Sequence, residues 1–478
     1  MSRQEKEFRP APETILPEKI HLIGIGGDGM SSLAGLLEEM GYQVSGSEQE
    51  EPSRIKQRPM LQFFQKKGIQ IAFGHYPENI PSGVGLVVRS SIIPFSNPEV
   101  KWALTNGIPV CKRSEVLGKL MGGKEGVAVA GTAGKTTTTA MLGLILEKAG
   151  FDPTISLGAR VDYLGDRNYR YGKGKCFIAE ADEFDRSFLD LKYEIAIITS
   201  LFWGDHLDYF KDKDKMLSAF AEFISRIPSD GFLIVNGDDE NAVLLARQAK
   251  CCVVNYGIRQ GKDFQIGDIR QDPQQTIFSL INRGRSLAVQ LHVPGKHNIL
   301  NATAALIASE ILGVNISQAI SAISEYKGAK RRMEIKGARN GVIVVDDFAH
   351  NPVQIQATLE GLRQLFPHKK VIAIFQPRQF RRTKVFLKEL ARSFNLADKI
   401  IVTDISRGIG DTEEEIKSVH ASDLVGEMQK TGKDAIYIGN FEEVVKWLLE
   451  NLEGEAVVIT LGTGDIYRVG EDYLNNPF

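Results

Sequence analysis

Few backbones can accommodate residues 127–150, VAVAGTAGKTTTTAMLGLILEKAG. An apolar run of strand length ends in a glycine-bounded loop, and a helical stretch follows at once. Gly131 and Gly134 let the chain turn back and approach an oxygen anion without a Cβ clash. The free N–H groups at the start of the helix, together with its dipole, favour that anion. In this setting Gly131, Thr132, Ala133, Gly134, Lys135, Thr136 and Thr137 read as a phosphate loop. Lys135 would reach the outer phosphates as a point charge, and the Thr136 hydroxyl would sit on Mg²⁺. The loop is shorter than the usual GxxxxGK[ST], because position 129 is valine.

The same alternation of strand, turn and helix runs through most of the chain and predicts an α/β protein. IHLIGI (20–25) leads into a second glycine turn with Gly24, Gly26, Gly27, Gly29 and Met30. The next strands end at Ser47 (YQVSGS, 42–47) and at Ser90 and Ser91 (GLVVRSS, 85–91). VIVVDD (342–347), KVIAIFQ (370–376), KIIVTD (399–404) and AVVITLG (456–462) mark a third region. Between them, residues 263–293 alternate polar and apolar side chains, which predicts a short antiparallel excursion before a helix near His297. At roughly 150 residues per domain, 478 residues suggest three regions, placed at 1–121, 122–328 and 329–478.

A glycine turn like the one at Gly24 serves many phosphorylated ligands. A nicotinamide site, with Glu48 on the ribose, is one reading. Two such loops in separate regions point instead to two phosphorylated ligands. Glu180-Ala181-Asp182-Glu183 and Asp205-His206-Leu207-Asp208 each follow a strand, and they offer oxygen and imidazole ligands for a metal ion beside the phosphates.

The charge balance, 58 basic against 60 acidic side chains, argues against nucleic acid as a partner. Four cysteines cannot frame a disulfide scaffold in a chain of this length, and none forms a CxxC pair. Cys251 and Cys252, in an apolar run, read as buried small side chains. No apolar run has signal-peptide or bilayer length, so no membrane association and a cytoplasmic location are expected. His21, His75, His292, His368 and His420 join no constellation and read as structural or exposed.

GTAGKTTTT, EADEFD, DHLDYF, NGDDEN, PGKHNILNATAA, GAKRRMEIKG, DDFAHNP and FQPRQFRRTK occur in that order. Over residues 19–470 this set resembles the Mur ligases, the ATP-dependent amide-bond-forming enzymes of peptidoglycan synthesis. The resemblance implies an N-terminal Rossmann-like domain for a UDP-sugar, a central P-loop-type ATPase domain and a C-terminal Rossmann-like domain for the incoming amine. IHLIGIGGDGMSSLAGLLEEMGYQVSGSE is most similar to members that join UDP-N-acetylmuramate to L-alanine. Next come members that join it to the tripeptide L-alanyl-γ-D-glutamyl-meso-diaminopimelate. UDP-sugar contacts would come from Gly24, Gly26, Gly27, Gly29, Met30, Ser47, Ser90 and Ser91. ATP would meet the phosphate loop and His297, Asn298, Asn301, Arg332, Asp346 and Asp347. Thr136, Glu180 and His206 would hold Mg²⁺, while Lys135, His206, Arg332 and His350 would carry catalysis. Arg378, Arg382 and His350 would face the amino acid or short peptide. A monomer or weak homodimer is implied.

The pattern departs from the family at three places, one of them the segment SLFWG (200–204) that precedes Asp205-His206. Ala133 stands where the phosphate loop usually has histidine, and Arg378-Gln379 where L-alanine-adding members have a His–Arg pair. Both amines therefore stay open. Other classes explain less. A nicotinamide dehydrogenase leaves Lys135 unused, and an NTPase switch leaves the second glycine turn and HNILN unused. A non-catalytic nucleotide-binding scaffold draws only on Ala133 and the altered segment before His206.

Overall fold

The structure, a computed structural model, describes residues 16–49, 58–204, 207, 209–210, 212–408, 410–452 and 454–476. They group into two compact units. The first takes the described residues of 1–201, 217–265 and 301–323, and the second those of 202–216, 266–300 and 324–478.

In the first unit, one sheet orders its strands Gln70–Phe73, Gln43–Glu48, Lys19–Ile23, Leu86–Arg89, Val110–Lys112, all parallel. The winding direction reverses between Lys19–Ile23 and Leu86–Arg89, where open sheets form their ligand crevice. The glycine turn leaves the sheet there and starts helix Asp28–Glu39. This helix buries every residue from Met30 to Leu37. It lacks a polar stripe because it is covered on more than one side. It packs on its own sheet and on the strands Thr154–Val161 and Arg167–Arg170. Ser32 Oγ lies 2.8 Å from Ser156 Oγ, and Asn168 Nδ2 donates to Ser31 Oγ at 3.0 Å. The Tyr169 ring comes so close to Gly35 that a Cβ there would fall 2.0 Å from it.

The second sheet of this unit runs Cys252–Gly257, Phe232–Asn236, Ile195–Ile198, Glu125–Ala130, Cys176–Glu180, Thr154–Val161, Arg167–Arg170. All are parallel except the last, which turns back antiparallel. Glu125–Ala130 lies inside the sheet, and its apolar composition fits a strand covered on both faces. Helix Lys135–Lys148 is buried from Thr136 to Leu146. Cys252 is exposed and Cys251 half-buried, contrary to the sequence expectation. The strand Cys252–Gly257 enters the sheet from its solvent rim, and only its last two residues are buried.

The excursion is antiparallel only in part. Phe264–Gln271 begins parallel to Cys252–Gly257. Thr276–Asn282 and Arg285–Leu291 then form an antiparallel hairpin within the second unit. Its tip, Arg283-Gly284, has φ of 48° and 79°, the left-handed pair that a tight hairpin turn needs. Gln364 ties this hairpin to helix Pro352–Leu365. Its Nε2 donates to Thr276 Oγ1 (3.0 Å), and its Oε1 accepts from Gln271 Nε2 (2.7 Å) and from the N–H of Gly295 (2.9 Å).

The remaining sheet orders Glu334–Arg339, Val342–Asp347, Ala456–Leu461, Lys370–Phe375, Lys399–Val402, Ala435–Tyr437. Only the first strand is antiparallel. One face packs Val345, Val371, Phe375 and Ile400 against Ile355, Leu359, Leu390 and Leu424. The other packs Val344, Ile372 and Val458 against Val444, Leu448, Val469 and Tyr473. Helices thus cover both faces, the doubly wound arrangement the alternation predicted. Among the described residues no helix is long and apolar enough to cross a membrane.

Candidate active site

In the first unit the phosphate loop links strand Glu125–Ala130 to helix Lys135–Lys148. Gly131 has φ 129° and Gly134 φ 86°. The loop is propped from the next strand: the Thr132 N–H donates to the Ser200 carbonyl (2.9 Å) and the Ala133 N–H to Ser200 Oγ (3.2 Å). Asn301, placed far off in sequence, lies against Gly134, where a Cβ would meet its Oδ1 at 2.4 Å. Gly134→Ala should therefore combine the left-handed penalty of about 1–2 kcal/mol with a clash inside the loop. We expect ATP binding, read by titration calorimetry, to weaken at least tenfold; an unchanged affinity would show that the loop has slack.

Lys135 and Thr136 each face a carboxylate. Lys135 Nζ is 2.6 Å from Glu183 Oε2, a carboxylate only 2% exposed. Burial pushes the ammonium down, but Glu183, Asp182 and Glu180 outweigh it and hold it above its ordinary value. Thr136 Oγ1 donates to Glu180, 3.0 and 2.9 Å from its two oxygens, and Glu180 Oε2 also accepts the Gly158 N–H at 2.8 Å. A hydroxyl and a carboxylate brought to one place form the all-oxygen donor set that suits Mg²⁺. His206, expected as a further ligand, lies outside the described residues with Asp205 and Asp208. Among the described residues no cluster of three His, Cys, Asp or Glu could hold a metal ion.

The second glycine turn has a left-handed Gly24 (φ 81°), whose N–H donates to the Ser47 carbonyl at 2.9 Å, as does that of Ile25 at 3.1 Å. Glu48 Oε2 accepts the Gly26 N–H at 2.8 Å, so this acid fastens the turn. Ser90 packs against Gly24, and Ser91 Oγ lies 3.2 Å from Ser187 Oγ. Met30 and Ser47 are buried, and the Ser47 hydroxyl donates to the buried Glu99 carboxylate at 2.6 Å. Sequence reasoning missed Arg113, whose Nε sits 2.9 Å from where a Gly29 Cβ would be. This cation beside the second glycine turn is assembled by the fold, and no local motif announces it.

In the second unit, Asn298 Nδ2 donates to the Pro294 carbonyl (2.7 Å). Burial pushes the His297 imidazole below its ordinary value, with Arg332 acting in the same direction and the Asp347 and Glu360 carboxylates opposing. The arginine pair divides its work in a way the sequence did not reveal. Arg331, left-handed at φ 60°, donates from Nε to Asp346 (3.0 Å) and from its Nη atoms to the carbonyls of Thr463 (3.2 Å) and Gly462 (2.7 Å). Its guanidinium also lies 5.2 Å from the Phe348 ring and 4.9 Å from that of Tyr467. Arg332 lies 4.8 Å over Phe348. Asp346 and Asp347 are 1% and 6% exposed and fasten the chain here. Asp346 accepts from Thr460 Oγ1 (2.7 Å), and Asp347 from the N–H groups of Met333 (2.7 Å) and Ala349 (2.8 Å). Burial raises Asp346, against the lowering effect of Arg331.

His350 Nδ1 is 3.0 Å from the Phe348 carbonyl. A carbonyl only accepts, so Nδ1 carries a proton, and in the neutral ring the lone pair lies on Nε2. Arg378 bridges to Ser406 through its backbone. Arg382 is 5% exposed and donates from Nε to the Gly204 carbonyl at 3.0 Å. In the same segment Phe202 and Trp203 pack 5.7 and 5.6 Å from Phe386. The structure thus brings Asn301 to the phosphate loop, and it gathers His297, Arg332 and Asp347 in the second unit.

Parallel sheets with two glycine turns that lead into helices, one of them followed by lysine and threonine facing carboxylates, are the architecture of a multidomain α/β enzyme. The chain belongs to the Mur ligase family. Its residues 19–125 match the Mur ligase family catalytic domain, 129–309 the Mur ligase middle domain, and 331–464 the Mur ligase glutamate ligase domain. It is 42% identical over 460 residues to the UDP-N-acetylmuramate–L-alanine ligase of Caldanaerobacter subterraneus, covering 96% of this chain and 97% of that one. It is 39% identical to the Carboxydothermus hydrogenoformans protein of the same name, covering 94% and 95%. The crystal structure of the Thermotoga maritima UDP-N-acetylmuramate–alanine ligase matches with a TM-score of 0.80 at 27% identity, covering 95% and 98%. A murein peptide ligase from Psychrobacter arcticus matches with a TM-score of 0.73 at 25% identity, covering 95% and 98%.

Proposed function

We propose that this chain is a cytoplasmic, ATP-dependent ligase that joins the carboxylate of UDP-N-acetylmuramate to the amine of L-alanine in peptidoglycan synthesis, releasing ADP and phosphate. The observation that carries this reading is 42% identity, across 96% of the chain, to a protein named for that reaction. The two phosphate turns support it, because the reaction needs separate sites for a sugar nucleotide and for ATP. In this reading residues 1–121 take the sugar nucleotide, 122–328 the ATP and 329–478 the amine.

Two anions must meet, so charge neutralisation dominates the first step. A carboxylate oxygen of the sugar attacks the γ-phosphorus, ADP leaves, and an acyl phosphate forms. Lys135 exchanges Glu183 for the outer phosphates. Thr136 and Glu180, with His206 as a further ligand, would hold Mg²⁺, which would add positive charge at the phosphates. Gly131 to Thr137 cradle the phosphates, while His297, Asn298, Asn301, Asp346 and Asp347 serve the nucleoside side. Gly24, Gly26, Gly27, Gly29, Ser90 and Ser91, joined by Arg113, hold the UDP-sugar; Met30 and Ser47 shape their turn. The amine then attacks the acyl carbon, phosphate leaves, and the amine loses a proton for which the His350 Nε2 lone pair is the acceptor. Arg332 stabilises the departing charge, and Arg378 and Arg382 take the carboxylate of the incoming amino acid.

Arg378-Gln379, in place of a His–Arg pair, favours a second reading in which the amine is the tripeptide L-alanyl-γ-D-glutamyl-meso-diaminopimelate. Phosphate release with UDP-N-acetylmuramate, Mg-ATP and either amine separates the two. We expect L-alanine to be preferred at least tenfold in kcat/KM. A tenfold preference for the tripeptide reverses the amine, and ATP hydrolysis independent of both substrates overturns the ligase reading.

A further inference from the structure

A buried carboxylate lies behind the glycine turn and plays no part in the chemistry above. Glu99, on the first turn of helix Pro98–Thr105, is 0% exposed. The helix start is fixed by Asn97, whose Oδ1 accepts the N–H groups of Glu99 (2.9 Å) and Val100 (3.3 Å). A carboxylate in such a place is tolerated only when its oxygens are satisfied. Glu99 Oε2 accepts from Ser47 Oγ at 2.6 Å, and Oε1 from Asn79 Nδ2 at 2.7 Å. Two imidazoles close the ring: His21 Nε2 and His75 Nδ1 lie 3.6 and 3.7 Å from Oε2. Burial pushes the carboxyl up, but these four partners outweigh it and hold it down at about 2.

Two partners of Glu99, Ser47 and Asn79, also hold backbone groups at the C-terminal edge of the sheet. Ser47 presents the carbonyl that receives the Gly24 and Ile25 N–H groups, and its hydroxyl lies 3.1 Å from His75 Nδ1. Asn79 Nδ2 also donates to the Gly74 carbonyl at 2.9 Å, while the Gly74 N–H donates to the Glu48 carbonyl at 2.9 Å. His21, on the central strand, is tied to Ser45 at 2.9 Å. One carboxylate therefore connects the central strand, the ends of the two strands that follow it in sequence and the helix behind them. The edge so fixed is the one where parallel sheets bind nucleotides.

We propose that Glu99 is a positioning residue for the sugar nucleotide: through Ser47 and Asn79 it sets the spacing between the glycine turn and the turn after Gly74. The proposal rests on the ligase reading for the identity of the ligand. Such a residue acts equally on bound substrate and transition state, so its loss raises KM and spares kcat. Glu99→Gln keeps the shape but removes the charge, and Ser47→Ala removes the hydroxyl that meets Glu99 and His75 while keeping the carbonyl that receives the turn.

For the full chain, UDP-N-acetylmuramate binding is measured by calorimetry, and KM for each substrate by phosphate release. We expect both variants to raise the sugar-nucleotide KM and Kd tenfold or more, with kcat and the ATP KM within twofold. Glu99→Asp, which keeps the charge, should recover part of the loss. Sugar-nucleotide constants unchanged in both variants overturn the proposal alone. Equal rises for ATP and sugar nucleotide also overturn it, since they mark general loosening of the fold. An unsubstituted chain that fails to bind UDP-N-acetylmuramate overturns the ligase reading and this proposal with it.

Discussion

Lys135→Ala should lower kcat/KM for amide formation by about a thousandfold or more while leaving the chain folded. The two halves of this expectation have separate grounds. Lys135 is the cation at the phosphate loop, and replacing it leaves the transferring phosphoryl group without its point charge. The fold should tolerate the loss, because the ammonium is partnered here by Glu183 rather than by the apolar core. One cost remains: Glu183 is buried and would lose its counter-ion, so a loss of stability of about 3 kcal/mol and a lower Tm are expected. Lys135→Ala/Glu183→Gln should recover that stability without recovering activity. Turnover within tenfold of the unsubstituted chain would remove Lys135 from the phosphate site.

The second large effect is on stability. Arg331→Ala should destabilise the second unit by about 3 kcal/mol, because it leaves Asp346 buried without its partner. The same change strips the donors from the Gly462 and Thr463 carbonyls and vacates the space between two aromatic rings. Arg331→Lys should recover less than half, since an ammonium cannot fork to three acceptors and stack at once. Adding Asp346→Asn to Arg331→Ala should recover part of the loss by removing the stranded charge. Scanning calorimetry reads all of these, and an Arg331→Ala transition within one degree of the unsubstituted chain would show that the network is idle.

What the sequence made legible follows physical locality. The phosphate loop could be read because its strand, glycines, lysine and threonine are contiguous, and the backbone they require is nearly unique. The doubly wound sheets could be read from the alternation of apolar strands and helices. The edge strand Glu334–Arg339 was within reach, since Asn340-Gly341 is a strong hairpin signal and has φ of 49° and 83°. The pair Thr154–Val161 and Arg167–Arg170 was not, because its register shifts between Ser156 and Val161 and breaks the two-residue period. Among the site residues, Arg113 and Glu99 became interpretable only in three dimensions, and so did the approach of Asn301 to Gly134. His21, Ser47, His75 and Glu99 share one buried network, yet each sits alone in sequence among residues that explain nothing about it. Arg331 and Arg332 show the reverse problem: adjacent and chemically identical, they are told apart only by a left-handed backbone that sends one inward.

The close approach of Tyr169 to Gly35 has a consequence for the history of the chain. A methyl group at 35 would strike the ring, so no lineage can gain a side chain there before position 169 has shrunk. The two positions must drift together, although one lies on the helix that follows the Gly24 turn and the other on a hairpin of the neighbouring sheet. Chimaeras that join residues 16–121 of this chain to the rest of a distant relative should therefore succeed or fail on that pair before any ligand is involved.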